Sequence, residues 1–258
     1  MSRSLSHSVV TKVVDLLAKD ITGGDQLEYN PARLVRECTK GDESRERPAI
    51  ESLPCTTRKP AGKGRVKSAS NQVVDGRGKD FLTESEMRRF LDAARLGRHG
   101  ARDFAMMLMA YRHGLRVSEL IDIRLTDLDL ATARLFVRRK KGSLSTHQPI
   151  EGDEIRAIRA WLRERALDGN AACSPLLFLS ERGPMTRQSV NYLVGETALR
   201  AKLHFAVHPH MLRHSCGYYL ANRGYDTRLV QDYLGHRNIA HTVRYTRTAA
   251  SRFEGLWR

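Results

Sequence analysis

Hydrophobic and polar positions divide the chain near residue 80. Residues 41–79 contain no aromatic residue, eight Gly or Pro and only nine hydrophobic residues. Such a stretch buries too little apolar area to offset the entropy of ordering it, which predicts a flexible tether. Ahead of it, Val10, Val13, Val14, Leu17 and Ile21 recur at helical spacing until Gly23-Gly24. That is one amphipathic helix, too little for a domain.

After Asp80 the pattern becomes that of a packed unit. Thr83 and Glu86 form a capping box ahead of Met87, Phe90, Leu91 and Ala94 on one helical face. The spacing predicts a second helix over 101–113, stopped by Gly114, and a short one over 117–123. The period then switches to two. Residues 133–139 (ARLFVRR) and 144–150 (LSTHQPI) read as strands around a basic turn, Lys140-Lys141-Gly142-Ser143. Further helices are expected at 151–167, 186–200, 209–222, 226–234 and 239–247, with a strand near 176–179 extending the sheet. The expected fold is mainly α with a small antiparallel β-sheet. It comprises an N-terminal extension over 1–79 and a folded domain over 80–258.

Composition narrows the partner. The chain of 258 residues carries 44 Lys+Arg against 29 Asp+Glu, a formal charge of +15, which favours a polyanion such as nucleic acid. The folded part is basic in its own right, with 29 basic and 19 acidic residues over 80–258. No apolar run reaches the roughly 18 residues of a membrane helix, and the polar start lacks a signal-peptide pattern. Four scattered cysteines, Cys38, Cys55, Cys173 and Cys216, form no CxxC pair, so neither a disulfide framework nor a cysteine zinc site is expected. A cytoplasmic protein without a membrane partner follows.

Four places carry candidate chemistry: Arg116 within GLRVSEL, Lys141 in the hairpin turn, His210 and Arg213 within HPHMLRHS, and LGHR at His236, followed nine residues on by Tyr245. Singly, each has a plain structural reading. Arg116 pairs locally with Glu119, Lys141 is a solvated turn lysine, His236 caps a helix end, and Tyr245 is a half-buried core tyrosine. Together they supply what side-chain attack on a phosphodiester needs. Two guanidinium forks meet the charge of a five-coordinate phosphorus. A phenol serves as nucleophile, histidines take or donate protons, and a lysine on a turn protonates the leaving 5′-oxygen. No metal or other cofactor is required. His204, His208, His210 and His214 are dense enough to raise a zinc site, but no HExxH motif is present.

This set resembles the tyrosine recombinases, the integrase family, in order and spacing over about residues 80–258. More narrowly, HPHMLRHSCGYYLANRGYDTRLVQDYLGHRNIAHTVRYT is similar to the fimbrial phase-variation recombinases, the bacterial DNA invertases. The resemblance implies a DNA breaking-and-rejoining catalytic domain in which Tyr245 forms a 3′-phosphotyrosyl link. Arg116, His210, Arg213 and His236 would surround the phosphate. Lys141 would be the general acid, with Lys140 as its substitute, and Glu119 would orient the first arginine. It also implies double-stranded DNA as partner, a homo-multimer (a tetramer on two sites), accessory DNA-bending proteins and nucleoid association. The tail residues Phe253, Leu256 and Trp257 form an apolar face suited to docking on a neighbouring subunit or on their own. Two rivals stand beside this reading: a DNA-binding protein that keeps the fold without the reaction, and a type IB topoisomerase that shares the chemistry but relaxes supercoils without exchanging partners.

Overall fold

The computed structural model describes residues 79–139, 143–168, 171 and 174–246. The segments expected to form the amphipathic N-terminal helix, the tether up to residue 78 and the apolar tail lie outside the described residues, as do Lys140 and Lys141.

The chain enters at Asp80 and starts α1 (Glu84–Arg95) on the expected capping box, in which the Thr83 amide donates to Glu86 Oε2 at 2.9 Å. Helix α2 (Gly100–Arg112) carries an unbroken buried run from Ala105 to Ala110. A helix apolar on nearly every side belongs at the centre of a fold, and α2 packs mainly against three helices. These are α1, α4 (Gly152–Leu167) and α6 (Pro209–Asn222). Helix α2 stops at Gly114, whose φ is +53° and where a Cβ would strike the Leu234 side chain. Only glycine meets both demands.

A short α3 (Val117–Leu120) and a 3₁₀ turn (Leu125–Asp127) lead into the sheet. Its order is β1 (Leu128–Asp129), β2 (Arg134–Val137), β3 (Thr146–Pro149), all antiparallel, with Leu135 opposite Gln148. The two anticipated strands thus pair as expected, each trimmed at its ends, while the two-residue β1 was not anticipated. Beyond the sheet come α4, a ribbon of β4 (Leu179–Ser180) and β5 (Gly183–Pro184), and α5 (Arg187–Arg200). The chain then continues through α6, α7 (Thr227–Leu234) and α8 (Ala240–Thr246).

One expectation is corrected. The segment at 176–179 does not extend the sheet: Leu176 makes a lone bridge to Arg124, and Leu179 pairs within the separate ribbon. The reason lies in where its carbonyls go. Arg165 of α4 donates to the carbonyls of Ser174 and Leu176, and Trp161 Nε1 donates to that of Leu177 at 2.9 Å. Side chains take the acceptors that a strand ladder would use.

Two apolar cores result. The larger joins α1, α2, α4, α5 and the sheet around Phe90, Met106, Ile158 and Leu162. The smaller gathers Cys216, Ala221, Val230, Leu234 and Tyr245 from α6, α7 and α8. Among the described residues, no helix is long and apolar enough to cross a membrane.

Candidate functional site

The site forms where the Gly114 turn, the end of β2, the start of α6 and the end of α7 meet. Its anchor is Glu119, 4% exposed. Arg116 Nη1 donates to Glu119 Oε1 at 2.6 Å, and Arg139 Nη1 donates to Oε2 at 2.8 Å. Arg213 Nη1 lies 3.9 Å from the same Oε2. Burial alone would raise the Glu119 carboxyl, but the Arg139 guanidinium and the Arg116 amide and side chain hold it below the usual range. It stays ionised, as a carboxylate among three guanidinium groups must.

Backbone carbonyls complete the scaffold. Arg213 donates to the carbonyls of Gly114 and Leu234, and Arg116 Nη2 donates to that of Gly235 at 3.3 Å. Arg139 Nη2 donates to the carbonyls of His113 and Tyr233. Three successive carbonyls, Tyr233 to Gly235, are therefore each fixed by one of the arginines. Gly235 ends α7 in the left-handed conformation, φ +66°, and a Cβ there would press on Arg139 at 3.0 Å. Burial, with repulsion from Arg116 and Arg139, lowers Arg213 to about 10. It remains cationic at neutral pH. Arg116 is the more open of the motif arginines, its side chain 25% exposed against 4% for Arg213.

The histidines ring this scaffold. His210 is exposed on the first turn of α6, and His236 is half-buried after Gly235. His236 Nδ1 lies 2.9 Å from Thr242 Oγ1, and its ring stacks over that of Tyr245 at 6.1 Å between centroids. Burial, then the nearby Arg213 and Arg116, pushes His236 down to about 3. Burial and Arg213 also lower His210. Both rings are neutral at physiological pH.

Tyr245 is 1% exposed, more buried than its plain reading had it. Its ring packs edge-on against Tyr218 at 5.0 Å and lies over Gly217, where a Cβ would come within 2.6 Å of the ring. Its hydroxyl is 2.8 Å from His214 Nδ1. Burial pushes the phenol up to about 12, against the pull of Arg213. Arg116, His210, Arg213, His236 and Tyr245 therefore come together, and Glu119 orients Arg116 as the resemblance implied. Lys141 and Lys140 lie outside the described residues. Among the described residues, no group of three His, Cys, Asp or Glu side chains is arranged to hold a metal.

Two contributors escaped the sequence reading. Arg139 is one; the period of two could have found it, since Leu135, Val137 and Arg139 are buried while Arg134 and Arg138 face outward. His214 is the other, and no local spacing signals its contact with a residue 31 positions away.

The phage integrase family model matches residues 80–252, two thirds of the chain. The chain belongs to the phage integrase family. Type 1 fimbriae regulatory protein FimE of Escherichia coli K12 is 48% identical over 178 residues, covering 69% of this chain and 90% of FimE. FimB of the same strain is 44% identical over 185 residues, covering 71% and 92% respectively. Among solved structures, XerA recombinase superposes with a TM-score of 0.61 at 26% identity, over 69% of this chain and 63% of XerA. The helical catalytic fold of this integrase with its small antiparallel sheets is that of the tyrosine recombinases.

Proposed function

We propose that this integrase is a site-specific recombinase that cuts and rejoins duplex DNA through Tyr245, and so inverts, or integrates and excises, a DNA segment. The observation that carries the reading is the shared frame of the motif residues. Arg116, Arg213 and His236, up to 120 positions apart, are joined through two consecutive carbonyls, Leu234 and Gly235, and His236 stacks on the Tyr245 ring.

In the proposed reaction the scissile phosphate lies against Arg116 and Arg213, whose positions cost no reorganisation as charge develops. The Tyr245 oxygen bonds to phosphorus and its proton passes to a neutral histidine, His210. With the Thr242 hydroxyl donating to Nδ1, the His236 ring proton sits on Nε2, the donor that a phosphate oxygen needs. The P–O5′ bond breaks, and the leaving 5′-oxygen takes a proton from Lys141. The 3′-phosphotyrosyl link keeps the bond energy, and a 5′-hydroxyl from the partner site attacks it in reverse. Exchange between two sites calls for four protomers. Residues 80–258 act as the catalytic unit. Residues 1–79 form the basic extension, which adds affinity for DNA, and accessory DNA-bending proteins bring the sites together in the cytoplasm on the nucleoid.

The test is a nicked suicide duplex carrying the target site, recovered beforehand by selection from random duplexes. The wild-type protein is expected to become covalently trapped, and Y245F to bind without trapping. A shifted duplex with no adduct from the wild type would mark a binding protein instead. Relaxation of supercoiled plasmid without partner exchange would mark a topoisomerase.

A further inference from the structure

The phenol that the reaction needs is not presented to solvent. Tyr245 is 1% exposed, and a phosphodiester requires an open approach to the oxygen that attacks it. Its ring is held on one face by Gly217 and edge-on by Tyr218, and Tyr218 in turn packs on Phe81 at 4.0 Å. Its hydroxyl is taken by His214, a residue outside the reaction scheme above.

Gly217 sits inside α6, where an alanine would favour the helix by about 1 kcal/mol. Its missing side chain leaves room for the tyrosine ring, with the Tyr245 Cε2, Cδ2 and Cζ atoms 2.6 to 2.8 Å from where a Cβ would be. His214 lies one turn beyond His210 on the same helix, their rings 6.4 Å apart. A hydrogen bond to one ring therefore points the phenol to a different partner from the base of the reaction. Arg244, next to Tyr245 in the chain, pairs with Asp80 at 2.8 Å.

We infer that His214 is a positioning residue that caps the Tyr245 hydroxyl in the DNA-free protein, and that engagement of DNA breaks this hydrogen bond to free the nucleophile. The inference rests on the proposed role of Tyr245. The cap acts on the resting state, so its removal exposes the phenol without removing any group that touches the phosphate.

Nitration of the DNA-free protein by tetranitromethane, mapped peptide by peptide, reads the cap without relying on activity. Tyr192, 67% exposed, serves as the fast-reacting standard. In the wild type Tyr245 is expected to react slowly. In H214L it should react about fivefold faster, the opening that loss of one buried hydrogen bond allows. H214N, whose amide oxygen stands in for Nδ1, should restore the slow rate, which a loss of packing alone would not. G217A, which displaces the ring from its other face, should also speed nitration and serves in place of H214L if that variant does not fold. Nitration of Tyr245 at the wild-type rate in the folded variants would overturn the cap. So would a drop of more than tenfold in H214L trapping on the nicked duplex, which would place His214 in the chemistry. Trapping that persists in Y245F would instead overturn the role of Tyr245, and the nitration result would stand apart from it.

Discussion

The arginine cluster and the tyrosine helix are neighbours built on opposite terms. The cluster is tied by buried ionic and carbonyl contacts from four parts of the fold: the Gly114 turn with α3, the end of β2, α6 and the end of α7. Helix α8 has only seven residues. Among the described residues, its side-chain polar links to the rest of the fold are the Tyr245 and Thr242 hydroxyls meeting two histidines, and an exposed ion pair to Asp80. A site that stabilises developing charge gains from being fixed in advance. A nucleophile that must meet its target only when DNA is bound gains from a light element that opens at low cost. The arginine cluster and the short helix that carries the proposed nucleophile thus sit side by side.

The largest expected effect breaks the receptor side. R116A and R213A should each slow covalent trapping by about 10²–10³ while duplex binding, read by gel shift, stays largely intact. The two should differ in stability. R213A leaves the Gly114 and Leu234 carbonyls without their buried donor and should lower stability by about 1–3 kcal/mol in urea unfolding. R116A, at the more open position, should cost less. Trapping at near wild-type rates in both would remove the arginines from the reaction.

Next comes E119Q. Removing this charge leaves the fully buried Arg139 guanidinium without its carboxylate, a loss of about 3–5 kcal/mol for a broken buried pair. Urea midpoints measure it. A loss below about 1 kcal/mol would mean that the cluster tolerates an unpaired charge and is not the rigid half of the comparison.

Acid should weaken the fold through the histidines around the tyrosine. In the unfolded chain a histidine takes up a proton near pH 6.5. In the folded protein His214 does so only at about 4 and His236 only at about 3. Burial is the main cause for both, followed by Arg244 for His214 and Arg213 for His236. Below pH 6.5 the unfolded chain therefore binds more protons, so stability is full above that pH and falls as the pH drops toward the folded values. Urea midpoints at pH 7 and pH 5 should show the drop, and H236Q should show a smaller one. An equal drop in the variant would assign the acid sensitivity to other groups.

The smallest effect on stability belongs to the tyrosine side. Y245F should abolish trapping and change stability by no more than about 1 kcal/mol, the worth of one hydrogen bond. D80N, which removes one partner of an exposed pair, should change it by less than that. A large loss from either would show α8 to be as firmly held as the cluster.

Much of this was legible before folding. The capping box at Thr83, the glycine stops at Gly114 and Gly235, and the hairpin of β2 and β3 follow from spacing, because helix and strand periods and left-handed turns are local properties. The candidate site residues Arg116, His210, Arg213, His236 and Tyr245 were legible too, since each sits in a short motif at an element boundary. The strand expected at 176–179 failed because its backbone acceptors are claimed by Trp161 and Arg165 from a helix earlier in the chain. Arg139 hid in a basic run, where charge masked a period of two that pointed it inward.

The sequence by itself determined the order of elements and the types of side chain available for phosphate chemistry, because both depend on near neighbours along the chain. Only the tertiary structure decided that Glu119 holds Arg116 and Arg139 with Arg213 close by, and that Tyr245 is buried over Gly217 against His214. Those contacts join residues dozens of positions apart, and their energies come from shared burial, which no local pattern encodes.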